Sequence, residues 1–114
     1  MTGALDFLER IHRTAANSVV RGHALAAMLS MPERADAIAY LSTIARAPSG
    51  DAVDAVRFLV ADAIGEPWGV VKPTTAEQSE SSSALRALAA GTGVVNADAA
   101  RLLAGWLSAH HSSR

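Results

Sequence analysis

The stretch DAVDAVRFLVADAIG, residues 51–65, decides how this chain folds. Val53, Val56, Leu59, Val60 and Ile64 recur at helical spacing, Asp51 suits an N-cap, and Gly65 is a natural stop. Two other stretches share its pattern: SVVRGHALAAML from Ser18 and NADAARLLAGWL from Asn96. In each, an Arg is followed after two intervening residues by a small apolar residue and more apolar ones.

Working outward, six helices are expected. The first runs from about Ala4 to Ala15, with Leu5, Leu8 and Ile11 on one side. Asn17 or Ser18 caps the second, which stops before Pro32. The third starts near Glu33 and ends at APSGD, where the fourth begins. GEPWGVVKPTT, with two prolines and two glycines, reads as a loop over 66–77. A fifth helix follows from part of SESSS to about Ala90, where GTG breaks it. Asn96 caps a sixth, to about Ala109. No segment alternates as a surface strand does.

The helices fall into pairs. ALDFLERIHR from Ala4 matches AIAYLSTIAR from Ala37 without a gap. Val20-Arg21 matches Val56-Arg57, and Ala100-Arg101 gives a third copy. The periods, 33 to 36 residues and then about 44, are those of stacked helical hairpins. One hairpin cannot bury its own apolar face, so neighbours stack into a continuous core. The expected fold is all-α, one domain, with three antiparallel hairpins over 4–30, 33–65 and 78–109.

In these residues the chain resembles HEAT-like helical repeats, whose second helices often read Asp, a few residues, Val-Arg, small residues and a Leu-Gly end. The resemblance covers about 100 of the 114 residues. It departs at Ala100, where Val is expected, and in the weak first helix of the third unit. It implies a protein-binding scaffold. The alternative is a compact six-helix bundle, like the self-associating death-fold adaptor domains.

Composition narrows the function. Half the residues are apolar but only 4% are aromatic, so the core is built from Ala, Leu, Val and Ile. A net charge of −1 gives no electrostatic footprint for nucleic acid. There is no cysteine, hence no disulfide framework or thiolate chemistry. No apolar run approaches the length of a membrane span, and the start MTGALDFLERIHR carries acids and lacks a long apolar run, so it does not read as a signal peptide and a cytoplasmic protein is expected.

No Ser–His–Asp context, phosphate loop or paired-carboxylate pattern is recognisable, so no catalytic, cofactor or metal residue is assigned. His12 and His23, on adjacent helices, read as partly exposed. A rival reading places either one with Tyr40 in the pocket of a small helical enzyme or ligand carrier. The main expectation is a protein partner, or a homodimer through the last helix. Its contact residues are Phe58, Trp68, Leu102 and Trp106. Phe58 falls outside the apolar arc of its helix, on the side of Asp54 and Asp62. Leu102 and Trp106 widen the apolar strip of a last helix that should be polar outside. Arg21, Arg57 and Arg101 are secondary contacts, or structural residues bonded to nearby acids such as Asp54 and Asp98.

Overall fold

The computed structural model describes residues 3–31, 33–66, 73–91 and 93–110, and these form six α-helices. They are α1 (Gly3–Thr14), α2 (Ser18–Met28), α3 (Arg34–Ala45), α4 (Asp51–Ala63), α5 (Thr75–Ala90) and α6 (Ala97–His110). The fold is all-α, with no strand among the described residues.

Local chemistry sets most boundaries. The Asn17 side chain accepts from the amides of Val19 and Val20 and opens α2. Asn96 does the same for α6, accepting from Ala99 at 3.0 Å. Helix α4 ends at Ala63 and is closed by Gly65, whose φ of +78° is left-handed. The Gly65 amide bonds to Asp62 and that of Glu66 to Ala61, which closes a Schellman turn. Two expectations need correction. Asp51 is not a cap but lies in the first turn of α4, behind Gly50. Helix α5 begins at Thr75, inside the expected 66–77 loop, because Thr74 and Glu77 form a reciprocal capping box.

Helix α4 is the centre of the molecule. It packs against α2, α3, α5 and α6, while α1 rests mainly on α2. The even helices run parallel, with their starts tied in a row. Arg21 of α2 bonds Asp51 at the start of α4 at 2.9 Å. The Asn96 amide, just before α6, donates to the carbonyls of Pro48 and Ser49, just before α4. Helix α5 docks mostly on α4 and only lightly on α6, so the third pair departs from the first two. The overall extents of 38 × 30 × 21 Å give a block about two helix diameters thick.

Burial follows a stricter register than the residue types do. Ala55, Leu59 and Asp62 on α4 correspond to Ala99, Leu103 and Trp106 on α6, and all six are buried. Leu25 on α2 matches Leu59, which places Arg21 two residues out of register with Arg57. Val20 is accordingly exposed where Val56 is buried, and Met28 buried where Ile64 is exposed.

A buried polar node fixes α5. Asp62, 1% exposed, is held by the Arg34 guanidinium and accepts from the Ser81 hydroxyl at 2.6 Å. Arg34 also bonds Glu80 and the carbonyls of Leu29 and Glu77, which joins α2, α3, α4 and α5 at one point. Burial works against the guanidinium charge. The bonds to Asp62 and Glu80 outweigh it and hold Arg34 above the ordinary arginine pKa.

Candidate interaction surface

Parallel neighbours α4 and α6 leave a shallow open groove between them. Val60, Ile64, Leu102, Gly105 and Trp106 give it an apolar lining, with Arg57 and Arg101 along it. Leu102 and Ile64 are among the exposed large apolar residues of the chain. Arg57 bonds Asp54 and Arg101 bonds Asp98, each one turn back on its own helix. Both arginines are largely exposed, so these pairs hold the side chains only weakly.

The structure separates the residues expected to act together. Leu102, Arg57 and Arg101 share the α4/α6 groove. Phe58 lies on the other flank of α4, in a groove with Val19, His23 and Asp54. It is half-buried against the core, with the Arg57 guanidinium 5.7 Å from its ring centre. Trp106 is a correction: it is 6% exposed and belongs to the core, with Arg86 5.2 Å over its ring. It forms the floor of the groove and not an outward anchor. Its place on the buried stripe with Ala99 and Leu103 turns the core side of α6 away from Leu102. Arg21 is also set apart. It holds Asp51 and donates to the carbonyls of Ala15 and Ala16 at the end of α1, so it serves the helix junction. Trp68 lies outside the described residues.

His12 is buried, 6% exposed, where partial exposure was expected. Its Nδ1 is 2.8 Å from the Tyr40 hydroxyl, and its Nε2 is 3.0 Å from Asp51 Oδ2. The second contact lies at ion-pair distance but off the N–H direction. The Nδ1 atom and the Tyr40 hydroxyl share one hydrogen bond, and the tautomer of the ring sets which of them donates. The chain Tyr40–His12–Asp51–Arg21 thus links α3, α1, α4 and α2. His23 is exposed and takes no part in it. Tyr40 also lines a groove between α1 and α3 beside Asp6, Glu9 and Asp36. No group of three His, Asp or Glu among the described residues is arranged to hold a metal ion. No described helix is long and apolar enough to cross a membrane.

Burial raises the Tyr40 phenol above its ordinary pKa; Arg13 pulls the other way and Glu9 adds to the rise. A raised value in the folded state means that the unfolded chain loses this proton first. The stability from Tyr40 is complete below the ordinary phenol pKa and falls as pH climbs through the folded value. Tyr40 is the single tyrosine in the sequence, so absorbance at 295 nm follows it alone. The expected midpoint lies above that of a tyrosine peptide, and Tyr40→Phe is expected to flatten the alkaline fall in stability. A midpoint at or below the peptide value would contradict the burial argument.

The sequence reading missed Asp62 and Ser81, although spacing marked both. Asp62 sits on the Ala55–Leu59 stripe, and Ser81 on the Leu85–Leu88 stripe. No family model, no curated protein and no solved structure matches the chain.

Proposed function

We propose that this chain is a non-catalytic protein-interaction module of the cytoplasm, a small adaptor or scaffold of HEAT-like hairpins. Its contact surface is the groove between α4 and α6. The observation that carries the reading is the exposure of Leu102 and Ile64 in an apolar groove along which two largely exposed arginines stand. Apolar floor with charged edges is the usual anatomy of a protein contact. The parallel even helices, tied start to start, are what stacked hairpins need and support the HEAT-like resemblance.

The test is a photo-crosslinking residue at position 102, compared with one at exposed Ala87 on α5. Protein adducts expected at 102 and absent at 87 should disappear when Ile64→Asp is added. Equal labelling at both positions, or none at 102, would remove the reading.

A second reading rests on the contact between His12 and Tyr40. It makes the chain a small-ligand carrier, with the acidic α1/α3 groove favouring a cation such as an amine. Thermal-shift screening with amines tests it, and a blank screen overturns it.

A further inference from the structure

We infer that the first half of α5, Thr75–Ser83, is a polar latch that opens as a unit while the rest of the molecule stays folded. This goes beyond the reading of the α4/α6 groove and does not depend on it.

Helix α5 divides in two. Thr75–Ser83 reads TAEQSESSS, and Ala84–Ala90 reads ALRALAA. The second half sets Leu85 and Leu88 into the core. The first half buries only Ser81, and its single apolar residue, Ala76, is exposed. Apolar burial, which docks most helices, is therefore confined to the second half and to Pro73 ahead of the helix. Ser79, Ser81, Ser82 and Ser83 weaken the first half further, since serine is a poor residue for a helix interior.

What holds the first half is polar and centred on one side chain. Arg34, at the start of α3, donates to the Glu80 carboxylate at 2.7 Å, the Glu77 carbonyl at 2.9 Å and Ser81 Oγ at 3.2 Å. Ser81 donates to Asp62 at 2.6 Å, and Gln78 lies over the bare backbone of Gly65. The capping box and the Gln78 bond to Pro73 are internal to the segment and its lead-in, so neither ties it to the other helices.

These contacts separate without stranding a charge. When Thr75–Ser83 leaves, Arg34 keeps Asp62 and the Leu29 carbonyl, both on parts of the chain that remain. Water replaces Glu80, already 53% exposed, and the Ser81 hydroxyl. Opening of α4 or of the second half of α5 would instead bring leucines into water. Segments with so little buried apolar surface have the lowest local stability, and moving elements are drawn from them.

Amide hydrogen exchange of the full chain, read residue by residue by NMR, is the measurement. The amides of Ser79–Ser83 are expected to share one degree of protection and to exchange about 100-fold faster than those of Leu88 and Ala89. Low urea should barely change the first group and should speed the second, because only global unfolding exposes much surface. Leu25→Val weakens the core on α2, away from α5, and should speed Leu88 and Ala89 about fivefold while leaving Ser79–Ser83 unchanged. Glu80→Gln removes a bond broken in both openings, so it should speed both groups alike, about threefold.

Exchange of Ser79–Ser83 that follows Leu25→Val or urea as strongly as Leu88 does overturns the inference, since α5 then opens only with the whole fold. Rates that fall residue by residue from Thr75 inward overturn it as well, because they describe a frayed helix end. A segment that opens as a unit but ignores Glu80→Gln is not held by Arg34, and the latch as described is wrong.

Discussion

Asp62→Ala is expected to lower the unfolding free energy by about 3–5 kcal/mol, the largest effect of any single polar substitution in this chain. The carboxylate is 1% exposed, and its main partner, Arg34, is only 11% exposed. Removal of Asp62 leaves a guanidinium in a site that water barely reaches, with Glu80 at the rim and the more distant charge of Glu77 as counter-charges. It also deprives the Ser81 hydroxyl of its acceptor. The loss comes from the stranded charge more than from the bond itself. The double variant Arg34→Met/Asp62→Leu should therefore be less damaged than Asp62→Ala alone. Urea unfolding followed at 222 nm reads both. A loss below about 1 kcal/mol for Asp62→Ala would show that the pair behaves like a surface ion pair.

The same node shows where the sequence could be read and where it could not. Caps are local, so Asn17, Asn96 and the Gly65 stop were legible from a few residues each. The Thr74–Glu77 capping box was equally local, but the prolines and glycines before it drew the segment into a loop. Asp62 was marked by helical period and disguised by residue type. Its spacing from Ala55 and Leu59 is that of a core residue, and only its charge suggested solvent. Its partner Arg34 comes from another helix 28 positions away, and no periodicity joins the two. The repeated Arg was legible in α4 and α6, where Asp54 and Asp98 bond their arginines alike. In α2 it misled, because burial there is set by Leu25 and Met28. Arg21 falls two residues out of step and turns to the end of α1. As for the candidate surface, Leu102 stood out as apolar on an outer helix. The separation of Leu102 from Trp106 needed the rotation of α6 on α4, which residue spacing leaves free by about one position.

Trp106→Ala is the second large effect expected, about 3–5 kcal/mol of stability. The indole is 6% exposed, packs with Ala99 and Leu103 in the core, and lies under the Arg86 guanidinium. Truncation removes its contacts and leaves a void that the ends of α4, α5 and α6 must collapse to fill. Trp106→Phe keeps part of the ring and should cost less. The contrast with Leu102→Asp decides what α6 is for. Leu102 lies one turn away at the exposed edge of the helix, 39% exposed, so its substitution should cost about 1 kcal/mol, well below Trp106→Ala. If the groove is the contact surface, Leu102→Asp abolishes association at a far smaller cost in thermal midpoint. Trp106→Ala then lowers the midpoint, and association falls only as the fold does. Should Trp106→Ala abolish association with stability intact, the indole must turn outward in solution and the groove floor would have to be redrawn. Should Leu102→Asp unfold the chain, its side of α6 is core, and the face described between α4 and α6 is not a surface at all.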